Sequence, residues 1–171
     1  MTSRGIFTAH GSDFDLSHTS NLLLLVPAPD GCGPCYRALV AFGHHVFTRD
    51  IRAGDSPEWL YTEGSDTRCF CPIRYGQSLS IPALLFAAVS GHAYFSQAHN
   101  FMFVEKQDGC VGPYVIFFNL KKATVKNVHA AMFVVSAYEK PKLPPLKHLK
   151  RVRFRTLVAR VASGGEIRRP K

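Results

Sequence analysis

The chain reads as an α+β protein, with a mixed helical and loop N-terminal half followed by a four- to five-stranded antiparallel meander. Three observations predict this. The best helical stretch, residues 78–90, lies near the middle of the 171 residues. Beyond it, runs of β-branched and aromatic residues recur at 92–96, 101–106, 114–120, 130–139 and 151–161, the composition that strands favour. Before it, apolar runs are short and interrupted by Pro27, Pro29, Gly31 and Pro57. Hydrophobic residues make up 46% and charged residues 19%, enough to bury a core, and the length suits a single α+β domain over 1–171 with a basic C-terminal segment, 140–171.

Each element has its own local signal. Residues 1–20 are polar around Phe14 and Leu16. Leu22–Val26 is a short apolar run stopped by Pro27-Ala28-Pro29-Asp30-Gly31, which predicts a buried strand entering a turn. Residues 36–42 fit either one or two helical turns or a second strand. Residues 45–48 alternate weakly as a strand, and a polar loop follows at 52–57. Pro57 opens a short helix through 61. In the helix at 78–90, Ser80 serves as cap, Pro82 fits the first turn and Gly91 supplies the stop. Strands then alternate with a turn at Gln107-Asp108-Gly109 and a proline-rich connection, residues 140–145.

Net charge is +9, but its distribution matters more. Residues 1–120 hold 7 Lys+Arg and 10 Asp+Glu, whereas residues 121–171 hold 14 and 2. A mildly acidic body thus carries a strongly basic end, which points to a polyanionic partner, nucleic acid first and RNA in preference to DNA. The most informative stretch is Lys147 to Arg160. In a strand, Arg151, Arg153 and Arg155 share one face while Val152 and Phe154 face inward. Guanidiniums two strand rises apart, roughly 7 Å, are near the phosphate repeat of an extended nucleic-acid strand, and Arg suits bidentate phosphate contact. Lys121, Lys122, Lys147 and Lys150 extend the patch, as do Lys126, Arg168, Arg169 and Lys171. No basic amphipathic helix marks a membrane surface. Nor does the N-terminus carry the apolar core of a secretory signal, so a cytoplasmic protein is expected, of bacterial or phage origin.

Chemistry has several candidate centres. A metal-independent ribonuclease needs a base for the 2′-hydroxyl, an acid for the leaving oxygen and cations for the developing charge. His45, Arg49, Arg74 and Tyr75 offer this set, with Tyr138 from the meander. Five cysteines, Cys32, Cys35, Cys69, Cys71 and Cys110, are an odd number without an export signal, which argues for free thiols. A cysteine hydrolase at Cys32 or Cys35 with His92 as base is a further option. Zinc on Cys69 and Cys71, with Cys32 and Cys35 or with His44 and His45, is disfavoured by the single residue between Cys69 and Cys71. No metal and no cofactor are therefore expected.

Cys32-Gly33-Pro34-Cys35 resembles, letter for letter, the redox tetrapeptide of the thioredoxin family, and Ser80-Ile81-Pro82-Ala83-Leu84-Leu85-Phe86 is similar to the proline-led strand that faces its thiols. The resemblance implies a thiol–disulfide oxidoreductase in which Cys32 attacks from a helix N-terminus, Cys35 resolves and Pro82 lines the site. Residues 45–50, 69–75, 133–138 and 152–158 resemble segments of small, uncharacterised bacterial proteins found near mobile elements. The expected architecture is similar to that of small RNA-directed bacterial toxins, a fold-level analogy. The leading expectation is a small basic nucleic-acid-binding protein, RNA preferred; whether it cuts is left open, and the chemistry expected if it does is that of a toxin-like, metal-independent ribonuclease. The alternatives are the oxidoreductase and a non-catalytic phage or mobile-element interaction protein.

Overall fold

The computed structural model describes residues 4–96, 101–106 and 110–167. The expected turn at 107–109 and the basic residues Arg168, Arg169 and Lys171 lie outside the described residues. In chain order the strands are β1 (Ile6–Ala9), β2 (Ser12–Asp15), β3 (Leu22–Val26), β4 (Tyr36–Phe42), β5 (Thr48–Arg49), β6 (Leu60–Glu63) and β7 (Asp66–Phe70). Helices α1 (Pro72–Ser78) and α2 (Ile81–Ala88) follow, then β8 (His92–Phe95), β9 (Phe101–Glu105), β10 (Tyr114–Lys122), β11 (Ala130–Glu139), β12 (Arg151–Arg153) and α3 (Phe154–Ala162).

The expected meander exists as β8-β9-β10-β11, every neighbour antiparallel. It is only the middle of a seven-stranded sheet of order β12-β8-β9-β10-β11-β4-β3. This overturns the predicted helical N-terminal half and the purely antiparallel sheet. Residues 36–42 are a strand, parallel to β11 in the register Ala38↔Ala130 to Phe42↔Val134. The reason is in the burial pattern. Ala38, Val40 and Phe42 are buried, while Arg37, Leu39 and Ala41 alternate with them as less buried positions, a period of two that a helix cannot satisfy. Most of the regular elements in the rest of the N-terminal half are also strands. A small β5-β7-β6 sheet forms from residues 48–70, and β1-β2 is a hairpin closed by His10 and Gly11 at φ 46° and 69°, the positive-φ pair of a two-residue turn. The helix expected after Pro57 is one 3₁₀ turn, Pro57–Trp59, before β6.

A second correction falls at the C-terminus. Residues 151–161 are not one strand, because β12 ends at Arg153 and α3 begins at Phe154. Phe154, Leu157, Val158 and Val161, all buried, are spaced i, i+3, i+4, i+7, the apolar stripe of a helix. Their β-branched and aromatic character hides that stripe from a reading by composition. α3 packs on β4, β10 and β11, with the Phe154 ring 5.0 Å from Phe103 and 6.0 Å from Phe118. The opposite face of β8, β9 and β10 is covered by Leu143 and Leu149 over Tyr94, Met102 and Val115. The helix expected at 78–90 is α2, with Pro82 in its first turn. It is preceded by α1, which the sequence reading missed.

An aromatic cluster joins the N-terminal elements. Phe7 and Phe14 from the hairpin meet Phe70 at 4.8 and 4.6 Å between centroids. Trp59 stacks on Phe70 at 5.7 Å, and Tyr75 from α1 contacts Phe14 and Phe70 at 5.3 and 5.6 Å. Among the described residues, no helix is long and apolar enough to cross a membrane.

Two substitutions test the core. Phe154→Ala removes a side chain with no solvent exposure and should cost about 3–5 kcal/mol in denaturant unfolding; a cost under 1 kcal/mol would mean that α3 does not seal the sheet. Tyr114 is equally buried, and its hydroxyl has no hydrogen-bond partner among the described residues. Tyr114→Phe should therefore leave stability unchanged or raise it by up to roughly 1 kcal/mol, and a clear loss in the same unfolding experiment would reveal a partner for the hydroxyl.

Candidate functional site

The chain between β5 and β6 makes a charged loop that its own side chains hold together. Arg49 forms a two-pronged ion pair with Asp55 and donates to the Asp50 carbonyl at 2.9 Å. The Arg52 amide also donates to Asp55, at 2.7 Å. The Arg49 side-chain hydrogen bonds come first among the influences that hold the Asp55 carboxyl well below the ordinary carboxylate range, and the Arg52 amide comes second. Arg68 pairs with Asp50 at 2.9 Å. From α1, half-buried Arg74 donates to the backbone carbonyls of Thr48 at 2.6 Å and His45 at 3.4 Å. Burial lowers the affinity of the Arg74 guanidinium for its proton, yet an arginine keeps its charge at any ordinary pH.

Arg74 also stands 5.0 Å from the ring centroid of Tyr138 on β11. Tyr138 stacks on Phe117 at 5.5 Å, and Lys140 Nζ lies 5.5 Å from the Phe117 centroid. Two cations thus flank an aromatic pair. Between this stack and the charged loop lies an open cleft of about 330 Å³, lined chiefly by Arg49, Arg52, Arg74, Gln77, Tyr138 and Glu139. Three arginines and one carboxylate line it, and the Glu139 carboxylate accepts from the Gly112 amide at 2.7 Å. Such a concave, net-positive surface suits a phosphate or carboxylate group.

The structure brings together Arg49, Arg74 and Tyr138 of the five residues expected to carry chemistry. It separates the other two. Tyr75, one residue on from Arg74, turns into the aromatic cluster with Phe14 and Phe70. The His45 ring faces Asp66 at 3.0 Å and does not line the cleft; only its carbonyl touches Arg74. Arg52, Gln77 and Glu139 were missed. Nothing local in the sequence marks them, because the cleft exists only where α1 meets the end of β11.

The basic residues divide differently from the single face expected. Lys147, Lys150, Arg151 and Arg153 are exposed. Arg155 does not join them, since it lies in α3, half-buried, with its Nε enclosed and without a hydrogen-bond partner among the described residues. The expected row of three arginines is therefore a pair. Lys121 and Lys122 edge a second hollow with Phe101, Leu120 and Val161. They sit at the far end of β10 from Tyr114, which pairs with the cleft residue Glu139, a separation of roughly 27 Å at strand rise.

Cys32 and Cys35 are exposed, free thiols in the connection between β3 and β4. The Asp30 carboxylate accepts from the Cys32 and Gly33 amides at 3.1 and 3.3 Å, a side-chain-supported turn. The helix that the thioredoxin resemblance implies after Cys35 is strand β4, and Pro82 opens helix α2 rather than a strand. Cys69 is buried and donates to the Phe70 carbonyl, and burial pushes its thiol up. His92 begins β8.

One further polar cluster stands apart from the cleft. The two-residue turn of the β6–β7 hairpin, with Gly64 at φ 62°, sets Glu63 and Asp66 side by side. Asp66 Oδ2 lies 3.0 Å from the Nε2 atoms of both His44 and His45, while Glu63 Oε2 lies 3.4 Å from His44 Nδ1. Burial, then the neighbouring His45, lowers the proton affinity of His44 against the pull of Glu63 and Asp66.

The sequence profile of the YjaZ family matches residues 6–162, a span that includes the cleft and the histidine cluster. No curated protein and no solved structure matches the chain significantly.

The Arg49–Asp55 pair makes a pH prediction. Because the folded-state carboxyl is depressed, its contribution is complete above the unfolded value of about 3.9 and is lost as pH falls below it. Denaturation midpoints measured from pH 6 to pH 2 should fall less steeply below pH 4 in Asp55→Asn than in the parent; identical profiles would mean that the pair adds nothing.

Proposed function

The chain belongs to the YjaZ family, and we propose that this member is a cytoplasmic nucleic-acid-binding protein, RNA preferred, whose arginine cleft receives the phosphate backbone. The observation that carries this reading is the convergence of Arg49, Arg52 and Arg74, from the β5 loop and α1, beside the Tyr138 ring of β11. Arg49 and Arg74 are held by Asp55 and by backbone carbonyls, so their positive ends are placed before a ligand arrives, which limits the entropy lost on binding. Arg52 has no ion-pair partner among the described residues, and its guanidinium can close on a phosphate.

Gln77 from α1 and Glu139 from β11 bring side-chain oxygens to the lining of the cleft. Acceptors beside phosphate-binding cations are what a 2′-hydroxyl contact requires, and that contact separates RNA from DNA. The exposed Lys147, Lys150, Arg151 and Arg153 add sequence-independent attraction along a longer strand. The proposal is one of binding. Cleavage of the 2′-hydroxyl type needs a base in the cleft, and the His45 imidazole is directed to Asp66 instead.

The test is fluorescence anisotropy with a labelled single-stranded RNA of about 16 nucleotides, across a salt series, beside the matching DNA and labelled polyglutamate. RNA should bind most tightly, with log K falling linearly against log salt. Arg52→Ala should reduce the slope by about 0.7, one single-strand phosphate contact, and Arg151→Ala/Arg153→Ala should reduce it further. Unaltered slopes in both variants, or equal affinity for polyglutamate, would overturn the reading.

A further inference from the structure

The cluster at His44, His45 and Asp66 shares no lining residue with the cleft and needs an explanation of its own. His44 and His45 are consecutive residues in a 3₁₀ turn, His44–Val46, between β4 and β5. Tight winding there splays the two rings to 79°, with centroids 4.9 Å apart, and directs both Nε2 atoms at one carboxylate oxygen, each 3.0 Å away. The candidate ligand atoms of the three residues all lie within 4.8 Å of one another.

The donor inventory is what makes this arrangement informative. Both ring nitrogens of His44 face carboxylate oxygens, Nδ1 toward Glu63 at 3.4 Å and Nε2 toward Asp66 at 3.0 Å. A neutral imidazole has one N–H and one lone pair. With the proton on Nδ1 beside Glu63, the Nε2 lone pair would oppose the Asp66 oxygen unless a positive charge lies between them. Glu63 is well placed to keep the proton on Nδ1. It is gripped by Arg4, whose Nη2 reaches both of its oxygens at 2.7 Å, and Arg4 is anchored to the carbonyls of Phe42 at 2.7 Å and Thr19 at 3.1 Å. A carboxylate behind a histidine, itself held by a third group, is the outer-shell arrangement that orients metal-bound imidazoles.

We propose that His44 Nε2, His45 Nε2 and Asp66 form a binding site for a divalent first-row transition ion, Zn²⁺ by its donor set. Two imidazoles and one carboxylate are a set that such ions accept in preference to Mg²⁺ or Ca²⁺. With metal–ligand bonds of about 2.0–2.2 Å, ligand atoms around a tetrahedral ion sit roughly 3.3 Å apart, so the two 3.0 Å His–Asp66 separations need to open by a few tenths of an ångström. The histidine–histidine separation, within 4.8 Å, adjusts toward the same value by rotation of the partly exposed His45 ring. His44 is enclosed, with 10% side-chain exposure, whereas His45 and Asp66 are at 35% and 49%. The ion is therefore reached from the His45–Asp66 side, where a fourth position stays open to water or to an anionic ligand. The site is independent of the RNA reading.

The experiment uses the full chain, freed of metal with a chelator and titrated with Zn²⁺ against a chromophoric competitor, then with Co²⁺ for its visible spectrum. One equivalent of Zn²⁺ should bind, with at least a tenfold loss in His45→Ala and in Asp66→Asn. Both substitutions are at partly exposed side chains, and circular dichroism confirms their folding. The Cys32→Ser/Cys35→Ser variant should bind as the parent does, and the Co²⁺ complex should lack thiolate-to-metal charge transfer. No competitive Zn²⁺ binding, unchanged affinity in Asp66→Asn, or loss of binding with the two cysteines would each overturn the proposal, the last by placing the ion on thiols.

Discussion

The parallel pairing of β4 with β11 is the constraint on which the rest of the molecule depends. It ties a strand from the first quarter of the chain to the last strand of the meander. The pairing continues one residue further, through the Gly43 amide to the Val134 carbonyl at 2.8 Å, and then the chain turns sharply at His44–Val46. That turn fixes both polar centres. The backbone carbonyl of its His45, with that of Thr48 just beyond it, anchors Arg74, and Tyr138 lies further along the same β11. Its side chains are the two histidines that meet Asp66. Parallel neighbours need long crossovers, and here the crossover from β4 to β11 contains the β5-β7-β6 sheet, the first two helices and most of the meander.

Charge is organised in two ways that serve different ends. Arg4 is nearly enclosed, with 8% side-chain exposure, and its guanidinium joins separate elements: the 3₁₀ turn Ser17–Thr19 at Thr19, the end of β4 at Phe42 and the β6 terminus at Glu63. Removing Glu63, the partly exposed member of the pair, would strand the enclosed Arg4 charge, which costs more than an exposed ion pair contributes. In the cleft, the Arg49 and Arg74 guanidiniums are tethered by Asp55 and by backbone carbonyls, whereas only the backbone amide of Arg52 bonds to Asp55, an arrangement that suits recognition better than cohesion. Lys147, Arg151 and Arg153 of the C-terminal segment are exposed and contribute to the positive field of that end of the chain.

Legibility in the sequence followed the range of the interactions involved. β3, β8, β9, β10 and β11 were readable because side-chain alternation and composition are local and short turns separate the strands. β4 was open to two readings, since Tyr36-Arg37-Ala38-Leu39-Val40-Ala41-Phe42 suits a helix or a strand until a partner is supplied, and the partner lies about ninety residues away at β11. Residues 154–161 misled because valine, phenylalanine and threonine signal strands by propensity, while their spacing belongs to a helix packed on the sheet. Tertiary burial outweighed propensity there, and it removed Arg155 from the basic row.

By itself, the sequence determined the uneven charge, with an acidic body and a basic end, because charge requires no partner to exist. It also determined the meander and the residue types from which a phosphate site can be made. Only the tertiary structure decided which of these meet. Arg49, Arg74 and Tyr138 converge because α1 docks against β11, whereas Tyr75 is turned away because adjacent residues on a helix point about 100° apart. The two histidines find Asp66 only because a hairpin turn, formed with a glycine at positive φ, brings a distant carboxylate to them. Residue chemistry is local, but a site is a set of distances, and distances between remote residues are set by how sheets pair and helices pack.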